Sequence, residues 1–247
     1  MFCPEIIALK EFYASPLGQA TQNNIEICIK DFLDGCKDNC VLGIGFAIPY
    51  LNNLLDKNKT VFSLMPASQG VIHWGNNLGN LSLISDEAEL PFFDNSIQRI
   101  IIIHALENSE RVREMMSEIW RVLSPTGRVM AIAPNRRGIW ARSPKSPFAF
   151  GQPFTHGQLK QLFAEHSFTP LRINSALFFP PGASKYTIKW SNLLEKVGRN
   201  ILSGFGGVII MEAEKQIYAP IARKLKHRKN IAYQTNTAYS YRNIQND

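Results

Sequence analysis

A run of four isoleucines, Ile100 to Ile103, constrains the fold of this chain more than any other feature. Four consecutive β-branched residues favour a strand that is buried on both faces, as in the middle of a parallel sheet. Shorter apolar segments precede and follow this run, and stretches with helical periodicity separate them. The alternation predicts an α/β fold: a doubly wound, mostly parallel seven-stranded sheet with helices on both faces.

The predicted strands and helices have definite places along the chain. The first strand, Cys40–Gly45, ends in a glycine turn, and the others cover residues 60–64, 81–84, 99–104, 128–133, 171–177 and 208–212. One or two helices are expected at 11–33, and further helices at 49–55, 110–123 and 188–202. Thr155 has the character of a helix N-cap.

The net charge of +7 is concentrated at the end of the chain. From Lys215 onward there are seven Lys and Arg residues against one acid, so the preceding residues are nearly neutral. A nucleic-acid-binding domain normally spreads its basic residues over a folded face, and we therefore expect no specific nucleic-acid partner. The pattern predicts a helical lead-in at 1–37, a main domain at 38–216 with a helical insertion at about 184–204, and a flexible basic tail at 217–247.

Other features bear on location and metal binding. We expect no transmembrane segment, because no apolar run approaches the ~20 residues that a spanning helix needs. The first residues lack the basic and apolar regions of a secretory signal, which indicates the cytoplasm.

The four cysteines show no C-x-x-C spacing and are interpreted as reduced thiols, and the five histidines are too scattered to predict a metal site. These residues are Cys3, Cys28, Cys36, Cys40, His73, His104, His156, His166 and His227.

Two segments carry a family resemblance. Asp86 to Ile100 reads DEAELPFFDNSIQRI, and Glu118 to Met130 reads EIWRVLSPTGRVM. In this order they resemble class I S-adenosylmethionine-dependent methyltransferases of the type 11 group, and the resemblance spans about residues 38–214. It implies a Rossmann-like methyltransferase domain and S-adenosylmethionine as cofactor. The cofactor is then expected across the carboxyl ends of the first four strands.

The cofactor motif after the first strand departs from the family pattern. That pattern is an acid followed by alternating glycines, D-x-G-x-G-x-G, whereas this chain has Gly43, Gly45, Ala47 and Pro49 at the four positions. The resemblance assigns Gly43, Gly45 and Ala47 to the cofactor. The acid that helps position the methionine end in the family is replaced by Gly43.

The next two strands carry the other cofactor positions that the resemblance implies. The family has an acid for the ribose at the end of the second strand, where this chain has Met65, and Ser68 or Gln69 would be a weaker, neutral acceptor. After the third strand, Asp86 matches the acid that receives the adenine amino group. Glu87 supplies a backbone amide next to the ring.

Candidate catalytic and substrate-binding residues follow the fourth and fifth strands. His104 is expected to serve as a general base or to pack the cofactor, with Glu107 orienting it or deprotonating the substrate, although a buried structural histidine and a helix-leading glutamate are equally ordinary explanations. The loop after the fifth strand holds the substrate candidates Asn135, Arg136, Arg137 and Trp140. Adjacent arginines suit an anionic substrate, while the alternative is a solvated loop that packs its tryptophan.

Three hypotheses follow, the last of which is weak contact of the basic tail with RNA or an anionic membrane. The first is an S-adenosylmethionine-dependent methyltransferase acting on an unidentified, anionic small molecule or protein. The second is a pseudoenzyme: a catalytically degenerate, methyltransferase-like binding or assembly protein, suggested by the missing acids at Gly43 and Met65. The sequence specifies neither the methyl acceptor nor the oligomeric state.

Overall fold

The central element is a seven-stranded sheet. A computed structural model describes residues 4–34, 40–57, 60–76, 79–181, 190–201 and 204–217. The strands occur in the order β5-β2-β1-β6-β7-β9-β8, and a small separate hairpin is formed by β3 and β4. Their bounds are β1 Cys40–Gly45, β2 Thr60–Pro66, β3 Gly75–Asn76, β4 Gly79–Asn80, β5 Ser82–Ser85, β6 Ile97–Ile103, β7 Leu123–Pro134, β8 Phe168–Ala176 and β9 Val208–Lys215.

Pairing in the sheet is parallel except around one strand. β1 lies between β2 and β6, and Ile44 pairs with Leu64 on one side and Ile102 on the other. β9 runs antiparallel to both of its neighbours, β7 and β8. The predicted doubly wound, mostly parallel seven-stranded sheet is confirmed.

Helices cover both faces of the sheet. They are α1 Ile6–Ala14, α2 Pro16–Asp34, α3 Ile48–Leu51, α4 Val112–Val122, α5 His156–Glu165 and α6 Ser191–Ile201. Because side chains alternate along a strand, the isoleucine run divides between two cores. Ile101 and Ile103 join the core with α1, α2 and α3, while Ile100 and Ile102 join the core with α4 and α5. Within the described ranges, no helix has the length and apolar character that crossing a lipid bilayer requires.

Several element boundaries differ from the prediction. The opening helices begin at Ile6, and Pro16 starts the second of them, where its missing amide proton costs nothing. β7 includes the predicted break at Ser124–Gly127, but the break interrupts its pairing with β6: Leu123 pairs with Ile97, Arg128 pairs with Arg99, and the register shifts between the two pairs. Thr155 is confirmed as an N-cap and forms a reciprocal capping box with Gln158. The predicted tail lies outside the described residues beyond Ile217, as do Cys3, Cys36 and parts of the predicted insertion.

Candidate active site

The turn after β1 lies at the carboxyl end of the parallel strands, where open α/β sheets bind ligands. Gly45 has a φ of 84°, and a Cβ there would lie 2.1 Å from the carbonyl oxygen of Ile103. The Phe46 amide donates a hydrogen bond of 3.1 Å to that same carbonyl. Glycine is therefore required at position 45 to hold this turn against β6.

The first position of the cofactor motif is closed by α3. A Cβ on Gly43 would lie 2.5 Å from the Cβ of Ala47 and 2.7 Å from Cδ1 of Leu51. Ala47 and Leu51 are both fully buried. α3 thus packs directly on β1, in the space that an acidic side chain would need.

A chain of four buried side chains begins where β6 ends. His104 follows the strand with a φ of 57° and is completely buried. Its Nε2 lies 2.9 Å from the hydroxyl oxygen of Tyr13, and its Nδ1 lies 3.6 Å from Oε1 of Glu107. The hydroxyl of Tyr50 donates to that of Tyr13 at 3.2 Å. We refer to Tyr13, Tyr50, His104 and Glu107 as the His104 cluster; it brings together the two predicted catalytic residues.

Polar atoms in and beside the His104 cluster have unused hydrogen-bonding capacity. Two neighbouring amides, Gln69 Nε2 and Asn108 Nδ2, donate to the His104 carbonyl oxygen. Five buried atoms make no hydrogen bond with the described residues: His104 Nδ1, Glu107 Oε1, Glu107 Oε2, Gln69 Oε1 and Asn108 Oδ1. Burying such atoms without partners costs about 1–3 kcal/mol each. Several unpartnered hydrogen-bond donors and acceptors close together are typical of a site that binds or reacts with a ligand.

Burial determines the protonation of the two tyrosines of the His104 cluster. Burial raises the pKa of Tyr13 and of Tyr50, so both phenols keep their protons at neutral pH. Because Tyr50 donates to Tyr13, the Tyr13 proton is directed to Nε2 of His104. The His104 tautomer that accepts this proton at Nε2 has its own proton on Nδ1, on the side of Glu107.

A cavity of about 320 Å³ adjoins both the β1 turn and the His104 cluster. Phe46, Ile48 and Pro49 from the turn line one part of it, and Tyr13 lines it with its ring next to Phe46, the ring centroids 5.6 Å apart. The remaining wall comes from Lys10, Gln22, Asn52, Ile72, His73 and Trp74. Tyr13 therefore connects the cavity to His104.

The predicted adenine-binding residues lie elsewhere, after β5. One carboxylate oxygen of Asp86 accepts from the Ala88 amide at 2.9 Å, and the other forms an ion pair with Arg111 at the start of α4. The Ala88 amide and the Arg111 guanidinium hold the pKa of Asp86 below its usual range. Glu87 accepts from the hydroxyl of Ser109 at 3.0 Å. Among the described residues that line the cavity, neither acid is present.

The loop after β7 divides into buried and exposed residues. Asn135 is fully buried, and its amide group donates to the carbonyls of Gly204 and Gly206. Trp140 is also fully buried, and its Nε1 donates to the carbonyl of Phe179 at 2.6 Å.

The two predicted arginines of this loop are exposed. The Arg136 guanidinium donates to the carbonyl of Pro153 at 2.9 Å. The Arg137 side chain makes no ion pair or hydrogen bond that joins it to another described residue. Substrate binding by this loop stays a prediction.

Comparison with known proteins identifies the central part of the chain. A sequence model of the methyltransferase domain matches residues 42–131, from β1 into β7. This part of the chain is therefore similar to the methyltransferase domain family. A comparison with curated proteins gives no match.

Solved structures agree with this methyltransferase domain in fold. An S-adenosylmethionine-dependent methyltransferase from Thermotoga maritima, described as a possible histamine N-methyltransferase, superposes with a TM-score of 0.62 and 12% sequence identity. The alignment covers 85% of this chain and 96% of that one. A second such enzyme, from Archaeoglobus fulgidus, gives a TM-score of 0.50 at 17% identity, covering 77% and 93%. The resemblance to class I S-adenosylmethionine-dependent methyltransferases and the fold predicted from it are confirmed.

The structure brings some of the domain's predicted site residues together and separates others. Gly45, His104 and Glu107 meet at the carboxyl end of the sheet, whereas Met65 is buried in the core. Sequence reasoning missed Tyr13 and Tyr50. Tyr13 lies 91 residues from His104 in sequence, and no local motif indicates that α1 lies against the end of β6.

Proposed function

We propose that this chain transfers a methyl group from S-adenosylmethionine to an acceptor bound next to the cavity between the β1 turn and Tyr13. The observation that carries the proposal is the continuity of this cavity, through Tyr13, with the buried His104 and Glu107. A larger groove of about 490 Å³ lies between α2, β8 and α6, but residues of the His104 cluster do not line it.

The cavity suits S-adenosylmethionine in several respects. The aromatic side chains of Phe46, Tyr13 and Trp74 fit a flat adenine ring and a positively charged sulfonium, because a cation is attracted to an aromatic face. Lys10 provides a positive charge for the carboxylate of the methionine end. Gln69, which has an unpartnered Oε1, is buried beside the His104 cluster and does not line the cavity. When bound, the cofactor supplies an electrophilic methyl group on sulfur.

The His104 cluster provides a path for the acceptor's proton. The Tyr13 oxygen has a second lone pair besides the one that accepts from Tyr50. An acceptor hydroxyl or amine in the cavity can donate there while Tyr13 passes its own proton to His104 Nε2, 2.9 Å away. The resulting imidazolium is stabilised by the Glu107 carboxylate, 3.6 Å from Nδ1. Glu107 thus compensates a charge that would otherwise be buried alone.

An anionic acceptor is part of the proposal. The exposed Arg137 has no ion-pair partner within the described residues, and its charge, together with that of Lys160, helps lower the pKa of the half-buried His156. Burial is the larger cause of that shift. Arg137 does not line the cavity, so its part in the proposal is to recognise a carboxylate or phosphate of the acceptor that extends beyond the cavity.

Calorimetric titration of the full chain with S-adenosylmethionine and S-adenosylhomocysteine tests the proposal. We expect micromolar affinity for both, and about tenfold weaker binding for Phe46→Ala because an aromatic contact with the cation or adenine is lost. Phe93→Ala is the matched control, since Phe93 is 88% exposed and does not line the cavity. No heat up to millimolar ligand would contradict the proposal and favour a binding or assembly protein.

Tyr13→Phe separates the proton path from cofactor binding. It keeps the ring that lines the cavity and removes the hydroxyl between the acceptor and His104. We expect cofactor affinity within about twofold of wild type and methyl transfer about 100-fold slower, the usual contribution of general-base catalysis. Transfer is measured with methyl-labelled cofactor and a mixture of acidic acceptors. Equal transfer by wild type and Tyr13→Phe would remove Tyr13 from the path.

A further inference from the structure

The apolar stripe of α6 faces solvent. Trp190, just before the helix, is 58% exposed, and three residues along the helix share its face: Leu193, Val197 and Ile201, at 50%, 49% and 73%. Leu194 is on the same side at 37%. At 100° per residue these five positions fall within an arc of about 100°, so they form one continuous surface. We call these five residues the α6 apolar face.

The opposite side of α6 faces the sheet and carries a polar residue and a small one. Glu195 is buried and accepts hydrogen bonds from the backbone amides of Leu177 and Phe178 at 3.1 and 2.9 Å. A Cβ on Gly198 would lie 2.3 Å from the Cβ of Phe178, so the helix approaches its support closely. α6 therefore packs on the segment after β8 through a carboxylate and a glycine. A normal surface helix does the reverse and buries its apolar stripe.

This inverted arrangement contrasts with α4 in the same chain. α4 turns Met115, Met116, Ile119 and Val122 into the core, and all four are completely buried. Contiguous exposed apolar surface of the α6 kind marks an interaction site. The α6 apolar face is thus a surface built to be covered by something other than the described part of this chain.

Charge indicates what covers the α6 apolar face. Residues 182–201 contain Lys185, Lys189, Lys196 and Arg199 but a single acid, Glu195. That acid is buried, and Arg199 donates to it at 3.4 Å. Within α6 the exposed cation is Lys196, and no acid of the described helix is exposed. A helix with aromatic and aliphatic residues on one side, an exposed cation and no exposed acid matches an anionic lipid surface. The α6 apolar face of a second copy would offer no exposed acid from the same helix to pair with Lys196.

We propose that α6 attaches the protein to the surface of an anionic lipid bilayer. The helix lies in the plane of the membrane, with Trp190 and the aliphatic residues of the α6 apolar face inserted between headgroups and Lys196 near the phosphates. The proposal does not depend on the methyl-transfer activity, since it is carried by a different part of the molecule.

Vesicle co-sedimentation of the full chain tests the proposal. We expect binding to an equal mixture of phosphatidylcholine and phosphatidylglycerol to exceed binding to phosphatidylcholine alone by about tenfold or more, and to weaken as salt is raised. Ile201→Glu should reduce the affinity for anionic vesicles by at least about tenfold, since it removes an inserted apolar side chain. Phe93→Glu is the matched control: it adds the same charge at another exposed apolar site and should bind like wild type.

Trp190 gives a second readout. Binding to anionic vesicles should shift its emission to shorter wavelength, and Trp190→Phe should abolish the shift but retain binding. Equal binding of Ile201→Glu and Phe93→Glu, or no binding of the wild type to either vesicle, would overturn the proposal. A dimer that dissociates in Ile201→Glu would also overturn it and assign the face to a second copy. Substituting the tail residues Arg223, Lys224, Lys226, Arg228 and Lys229 with Gln tests whether the tail alone carries binding, which would equally overturn it.

Discussion

The same substitution, glycine to alanine, should have opposite effects at two positions of this chain. At Gly43 the new methyl group would lie 2.5 Å from the Cβ of Ala47 and 2.7 Å from Leu51. The Leu51 contact involves the end of a side chain that can turn away, whereas the Ala47 Cβ is fixed to the backbone. Gly157, in the first turn of α5, is exposed, and its added Cβ would meet nothing within 4 Å.

The expected magnitudes follow from these contacts. Overpacking a buried site costs about 1–3 kcal/mol, and the lower chain entropy of the unfolded alanine variant offsets about 0.4–1 kcal/mol of it. Gly43→Ala should therefore lower the free energy of unfolding by about 1–2 kcal/mol, or Tm by about 2–8 °C. Gly157→Ala should raise the free energy of unfolding by about 0.5–1 kcal/mol, because alanine is the better helix former.

Thermal unfolding followed by circular dichroism measures both variants under one condition. A Gly43→Ala protein as stable as wild type would refute the inference that α3 packs directly on β1. It would also mean that packing of α3 against β1 does not explain why Gly43 stands where the family motif has an acid. Gly43→Asp should be less stable than Gly43→Ala, since it adds a buried carboxylate to the same steric conflict.

Two further predictions concern stability. Glu118 accepts from Arg121 with both carboxylate oxygens and from the Leu90 amide, and the Arg121 hydrogen bond is the largest cause of its lowered pKa. Glu118→Gln should cost about 1–2 kcal/mol at pH 7. The loss should shrink as pH falls through the lowered pKa of Glu118, because the wild-type carboxylate is then protonated and its contribution disappears. Urea unfolding across pH checks this, and a pH-independent difference would contradict it. Thr155→Ala should cost about 1 kcal/mol by removing the N-cap of α5, and an unchanged urea midpoint would show that the cap contributes nothing.

The sequence predicts the sheet well because its strands are strongly apolar and buried on both faces. β1 is predicted to the residue. β6, predicted at 99–104, is observed at Ile97–Ile103, and it begins earlier because Ile97 has partners that local composition does not reveal. The turn-forming residues at Ser124–Gly127 do interrupt the pairing of β6 with β7, but composition does not reveal that Leu123, before them, pairs with Ile97. Pairing between distant segments decides such boundaries, and one sequence does not contain that information.

The candidate site is less predictable than the sheet. His104 and Glu107 follow from their position after a strand, but Tyr13 reaches the site from a helix whose placement depends on tertiary packing. Asp86 shows the opposite case: its motif is present, yet its carboxylate is engaged by Arg111 and the Ala88 amide. Helical periodicity likewise predicts α6 but not which of its sides faces the sheet.

A crystal structure of the full chain with S-adenosylhomocysteine tests the central claim most directly. The account predicts the ligand in the cavity beside Phe46 and Trp74, with its sulfur on the side of Tyr13 and the His104 cluster. Ligand bound elsewhere, for example in the groove between α2, β8 and α6, would contradict the proposed active site.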